Sequence, residues 1–115
     1  MEFDTFVVAR LLSGPTPPVL SEQQEREHQD AHLAHIAELW ASGKLIAAGP
    51  ASGTDGLRGV SVFVCSVDEA RELSESDPAV LNGTYVLDYA TWHTPHAMIV
   101  QGDGIPPRSA AEVRG

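Results

Sequence analysis

The run Ala31–Pro50, AHLAHIAELWASGKLIAAGP, constrains this chain more than any other stretch. Leu33, Ile36, Ala37 and Trp40 recur at helical spacing, Gly43 supplies a C-terminal stop, and Leu45-Ile46-Ala47-Ala48 is a short apolar run ending in the turn Gly49-Pro50. A helix, a stop and a buried strand in immediate succession require a fold that lays a helix on a sheet. Three histidines, His28, His32 and His35, fall on the same helix at i, i+4 and i+7. At about 100° per residue they lie within roughly 60° of one another, beside the apolar face rather than opposite it. A histidine stripe at the edge of a core is the first feature able to do chemistry.

The flanking segments complete the pattern. Phe3–Leu12, rich in Val, Phe and Leu, predicts a strand that Ser13-Gly14-Pro15 ends abruptly. Ser21 and Gln24 form a capping box, and Glu22, Glu25 and Glu27 complement the dipole of a helix running from Glu22 to Ser42. After the Leu45–Ala48 strand, the short link Ala51–Gly56 leads through Leu57-Arg58-Gly59 into Val60–Cys65, which predicts an antiparallel hairpin. Ser66 and Glu69 predict a second capping box at the start of a helix carrying Val67, Ala70 and Leu73. Pro78 disfavours helical geometry at Asp77, so the aspartate sits at a bend where it can cap the short turn Pro78–Leu81, which Asn82-Gly83 stops. Thr84–Trp92 is a long aromatic strand, and Ala97–Val100 either adds a short fifth strand or packs on a neighbour.

The resulting order, β-α-β-β-α-β, is the ferredoxin-like α+β arrangement: a four-stranded antiparallel sheet with both helices on one face. Strands such as VVARLL and GVSVFV are apolar on both faces, so the face without helices needs cover, and a second copy in an isologous homodimer provides it. A chain of 115 residues, 43% hydrophobic, supports one packed core. The expected organisation is a single domain over residues 1–100 and a C-terminal tail over 101–115 whose composition does not require it to fold alone.

Seven Lys and Arg against sixteen Asp and Glu leave a formal charge of −9. That repels phosphate backbones and anionic lipid, so nucleic acid and membrane are not expected partners. No apolar run approaches the roughly 18–20 residues of a spanning helix, and the acidic start Met1-Glu2-Phe3-Asp4 is unlike a basic signal-peptide region, so a cytoplasmic protein is expected. The single Cys65 cannot form an internal disulfide and lies in an apolar strand, where a buried small hydrophobe is the simpler reading than a nucleophile.

His28 and His32 have the i, i+4 spacing of a metal pair, but the HExxH glutamate is missing and no third ligand is evident beyond Asp30, Asp77 or His35, so no metal and no organic cofactor are expected. No GxGxxG or GxxxxGK[ST] phosphate loop occurs. Arg58 is the one cation at a strand start near the Gly49-Pro50 turn, where it can pair with an anionic substrate or form a surface ion pair. Trp92 and Tyr85 either pack in the core or line a ligand site, and His93 and His96 read as an exposed turn.

Taken together, AHLAHIAELWASGKLIAAGP, LRGVSVFVCSVDEA and ESDPAVLNGTY resemble the YciI-like, YCII-related family of small proteins, over about Gln29 to Trp92. The resemblance implies a dimeric α+β barrel, the architecture of muconolactone-isomerase-like proteins, and an active site built from a histidine and an aspartate. These match His32 in AHLA and Asp77 in ESDP. It also implies kinship with a dehydrochlorinase acting on a chlorinated hydroxyquinol. An imidazole can exchange a proton near neutrality, and an adjacent carboxylate fixes its tautomer and stabilises the imidazolium. The segments carrying His32 and Asp77 follow the first and third strands, so both can converge at one end of the sheet. The bland alternative is a turn-capping Asp77 and a packed His32. The expected activity is therefore a cofactor-independent lyase or isomerase acting on a small cyclic or aromatic-derived molecule, with His32 and Asp77 catalytic and Arg58, His28, His35 and Trp92 binding substrate. The alternatives are a non-catalytic small-molecule-binding module and a purely structural or interaction domain.

Overall fold

The structure, a computed structural model, describes residues 1–114. Its elements follow in the order β1 (Phe3–Ser13), α1 (Glu22–Ala41), β2 (Leu45–Pro50), β3 (Leu57–Phe63), α2 (Val67–Glu75), α3 (Pro78–Leu81), β4 (Tyr85–Pro95) and α4 (Ala110–Arg114). The strands form one sheet in the order β2-β3-β1-β4. Every neighbouring pair is antiparallel, which is the expected ferredoxin-like α+β arrangement.

The local signals act as their chemistry dictates. Ser21 and Gln24 make the reciprocal capping box of α1. Gly43, at φ 80°, turns the chain out of the helix at little steric cost. At α2 only half of the expected box forms: the Ser66 hydroxyl accepts from the Glu69 amide, and the Glu69 carboxylate is drawn away to Lys44 at 3.0 Å. β4 runs three residues past the expected end at Trp92, because β1 offers partners as far as Phe3, opposite Pro95. Ala97–Val100 adds no strand. A turn closes there instead, with Ala97 at φ 61° and the Asp4 carboxylate accepting from the Ala97 amide at 2.8 Å and from His96 Nδ1 at 3.0 Å.

Strand alternation sends Val7, Ala9, Phe63 and Leu87 to the helix-covered face, where they pack with Leu39, Leu45 and Ala70. Phe63, Leu45 and Val7 are the largest fully buried side chains. The opposite face carries Val8, Val60, Val62, Val86 and Trp92, with an ion pair between Arg10 and Asp88 at its centre. Trp92 and Val86 there remain 45% and 41% exposed. The chain beyond β4 turns back over α1, and α4 docks by donating the Ala110 amide to Asp30 Oδ1 at 2.9 Å. Among the described residues no helix is long and apolar enough to cross a membrane.

Candidate active site

Asp77 is the N-cap of α3, as its place before Pro78 predicts: its Oδ1 accepts from the Ala79 amide at 2.8 Å. The second oxygen, Oδ2, lies 2.7 Å from His32 Nδ1. Both residues are buried, 5% and 9% exposed. One carboxylate therefore serves the turn and the imidazole together. With Asp77 ionised, His32 Nδ1 carries a proton and donates it to Oδ2. Nε2 is left as the ring nitrogen free for a ligand, with a lone pair in the neutral imidazole and a proton in the imidazolium. A buried pair so placed can take up and return a proton, provided a substrate can reach it.

Two cavities meet at that residue. One, of about 600 Å³, lies under the β1–α1 loop between Pro17, Pro18, His28, His32 and Tyr85. The other, of about 320 Å³, runs between α1 and the β2–β3 hairpin and is bounded by Leu33, Ala48, Pro50, Arg58 and Tyr85. His32, Gln29 and Tyr85 line both. The Tyr85 ring sits 5.6 Å from the His32 ring at an interplanar angle of 53°, a tilted aromatic contact that restrains the imidazole. The loop over the first cavity is fixed at its root, where the Gly14 amide donates to the Thr84 carbonyl at 2.9 Å. A Cβ at Gly14 would meet the Gly83 carbonyl oxygen at 2.0 Å, so only glycine allows the two loops to approach this closely.

The other expected site residues divide. His28 lines the first cavity, and its Nδ1 accepts from the Asn82 side-chain amide at 3.1 Å, while Asn82 Oδ1 accepts from the Thr84 amide and hydroxyl. Arg58 lines the second cavity. It is the extra residue of a bulge, since Leu11 pairs with Gly59 and Leu12 with Leu57, and a bulge re-aims a side chain at a strand end. The ion pairs of the described residues engage Arg10, Lys44 and Arg71 and leave Arg58 without one. His35 turns away from both large cavities and donates Nε2–H to the Leu73 carbonyl at 2.9 Å, tying α1 to α2. Trp92 lies on the opposite face of the sheet, 6.4 Å from the Phe6 ring, apart from His32 and Asp77.

Gln29, Asn82 and the tail were not among the site residues expected from the sequence. Ser109 and Glu112 do carry a capping signature for α4, [ST]-x-x-[DE]. In the structure Glu112 accepts from the Arg108 amide at 2.7 Å, and Ser109 accepts from the Glu112 amide. Among the described residues no three His, Cys, Asp or Glu side chains are grouped so as to hold a metal ion; His28, His32 and Asp30 are each engaged elsewhere. Cys65 is half-buried, and burial, reinforced by Glu69 and opposed by Lys44, pushes its thiol above the usual range, away from a reactive thiolate.

No curated protein matches the chain in sequence. Among solved structures, 5-chloro-2-hydroxyhydroquinone dehydrochlorinase from Burkholderia phenoliruptrix, in complex with 2,5-dihydroxybenzoquinone, superposes with a TM-score of 0.53 at 23% identity. The match covers 80% of this chain and 95% of that one, a likeness of fold. The YCII-related domain profile spans residues 10–92, from the middle of β1 through His32, Asp77 and most of β4, and on that match the chain belongs to the YCII-related family.

Proposed function

We propose that the protein is a cofactor-independent lyase or isomerase that moves a proton on a small cyclic or aromatic-derived molecule, with His32 as general acid/base and Asp77 as its orienting partner. The observation that carries this reading is the buried 2.7 Å contact between His32 Nδ1 and Asp77 Oδ2 at the meeting point of two cavities. In an elimination of the dehydrochlorinase type, neutral His32 takes a proton from the substrate. The electron pair left behind forms the new π bond, and chloride departs with the pair of the C–Cl bond, so no external oxidant is required. In an isomerisation of the muconolactone type, the same nitrogen returns the proton to a different carbon. Asp77 holds the developing imidazolium in both cases. His28 and Arg58, each lining one of the cavities, are the binding groups in this reading.

The assembly that accompanies this reading is a cytoplasmic homodimer closed over the apolar sheet face around Val8, Val62 and Trp92. Light scattering at micromolar concentration is expected to give the mass of two chains, and a stable monomer rejects the dimer. For the chemistry, the protein is mixed with 5-chloro-2-hydroxyhydroquinone and with a panel of chlorinated phenols and lactones, while chloride release and solvent-deuterium incorporation are followed. On any substrate turned over, His32→Ala is expected to lose about 10²-fold or more, the scale of general acid/base catalysis, without unfolding. Full turnover by His32→Ala ends the catalytic assignment. Binding without turnover in the wild type favours a non-catalytic binding module.

A further inference from the structure

Two imidazoles of α1 line the first cavity, and their neighbours hold them in opposite tautomers. His32 donates from Nδ1 to Asp77 Oδ2, so its neutral ring keeps the lone pair on Nε2. His28, four residues earlier, is held the other way. Asn82 Oδ1 accepts from the Thr84 backbone amide at 2.9 Å and from the Thr84 hydroxyl at 2.7 Å. A backbone N–H can only donate, which fixes that atom of Asn82 as the oxygen and turns the NH2 group to His28. This NH2 donates to His28 Nδ1 at 3.1 Å, so the proton of the neutral His28 ring sits on Nε2.

Among the described residues neither Nε2 has a hydrogen-bond partner. Side chains at i and i+4 on a helix stand about 5–6 Å apart at Cβ, so one small guest lying across the two rings meets a lone pair from His32 and an N–H from His28. Other groups line this cavity, but none is aimed in the same way. Gln29 and Tyr85 carry donors that no neighbour orients among the described residues. Arg26, at about 100° per residue, projects about 120° from His32, against about 40° for His28. Glu22 and Glu25, when ionised, accept rather than donate.

From this pairing we infer that His28 is a second catalytic residue, a neutral N–H donor to a carbonyl oxygen. The substrate class follows: a carbonyl compound whose acidic C–H is next to that carbonyl or conjugated with it. The inference rests on the reading of His32 as the base. His32 Nε2 takes the proton, the pair of the broken C–H bond forms a C=C bond, and the carbonyl π pair moves onto oxygen, where His28 Nε2–H meets the growing charge. The carbonyl is restored when His32 returns the proton to another carbon, or when chloride leaves with its bonding pair. His28 stays neutral throughout, and its hydrogen bond strengthens as the oxygen becomes an oxyanion. Asn82 is the positioning residue that keeps the donor on the cavity side.

The test uses full-length protein and two unsaturated ring carbonyls, cyclohex-3-en-1-one and α-angelica lactone, each of which becomes conjugated when one proton moves. The wild type is expected to speed the shift, read by ultraviolet absorbance. His28→Phe is expected to lower kcat about 10²- to 10³-fold, the scale of losing one oxyanion donor, in a folded protein. His28→Gln, whose amide still donates, is expected to retain more. With no probe present, ¹⁵N NMR of the imidazoles at about pH 9, where an ordinary imidazole is neutral, is expected to show His28 protonated on Nε2 and His32 on Nδ1. Asn82→Asp keeps an acceptor for Thr84 but replaces the donor at His28 with an acceptor, so the His28 proton is expected to move to Nδ1 and kcat to fall with it. Full turnover by His32→Ala defeats the base, whereas the substrate-free tautomer of His28 judges the donor separately. The inference is overturned if wild-type His28 carries its proton on Nδ1, if His28→Phe keeps full turnover while His32→Ala loses it, or if the wild type leaves both probes unchanged.

Discussion

Asp77 serves two masters, and two substitutions separate them. In Asp77→Ala the Ala79 amide loses its cap, which costs about 1 kcal/mol, and His32 Nδ1 is left buried without a partner, about 1–3 kcal/mol more. The expected loss of roughly 2–4 kcal/mol corresponds to a fall in Tm of about 8–16 °C in a domain of this size. Asp77→Asn behaves differently. Asparagine caps as well as aspartate, so its oxygen keeps the Ala79 amide and stability changes by less than about 1 kcal/mol. Its NH2 group, however, donates towards His32 Nδ1, which must now accept. The ring proton moves to Nε2, and the lone pair needed to take a proton from a substrate disappears from the cavity side. Turnover is then expected to fall about 10²- to 10⁴-fold in a protein that melts almost like the wild type. Urea unfolding of both variants gives the stabilities, and ¹⁵N NMR of the imidazole at pH 8 reports the tautomer without any substrate. If His32 in Asp77→Asn keeps its proton on Nδ1, or if Asp77→Ala is as stable as the wild type, the shared-carboxylate account is wrong.

Two further outcomes follow from features outside the pair. Gly14→Ala sets a methyl group against the Gly83 carbonyl at 2.0 Å, and forcing the two loops apart is expected to cost about 2–3 kcal/mol in chemical denaturation; an unchanged midpoint means that the loops are free to separate. The Arg10 guanidinium, which donates Nε–H to Asp88 at 2.8 Å, holds the Asp88 carboxyl below its ordinary value, so its contribution to stability is complete above that value and is lost as pH falls through the folded one. Asp88→Asn is therefore expected to flatten the decline in stability between pH 4.5 and 2.5, and an identical slope in both proteins shows that the pair does not contribute.

The features legible in the sequence are those with local causes. Ser21 with Gln24, Gly43 and the Asp77-Pro78 bend each act through backbone groups within four residues, and each sits where its chemistry places it. The antiparallel pairing of β2 with β3 was legible because the link between them is short enough to predict a hairpin. Helix phase was harder to read. His32 is more buried than Leu33, because the inward direction of α1 is set by α3 and the bend at Asp77, 45 residues downstream. His35 lies on the same stripe but is taken up by the Leu73 carbonyl, a partner that periodicity does not reveal. Trp92 was within reach: counting alternate residues from Tyr89, which packs on the core, sends Trp92 to the other face. The tail was not, since its latch joins Ala110 to Asp30 across 80 positions and its composition is that of a loose end.

The central place of β1 also bears on how the protein is made. The first of the four strands in chain order is flanked in the finished sheet by β3 on one side and β4 on the other, with Phe3–Ser13 matched residue for residue against Tyr85–Pro95. A growing chain therefore carries an apolar strand with both edges unpaired until Leu57–Phe63 has emerged, and with one edge unpaired until nearly all of the domain has been synthesised. The sheet cannot be assembled in the order of synthesis. Its oldest part waits for its newest, and for that interval the open edges of β1 are available to pair with another chain.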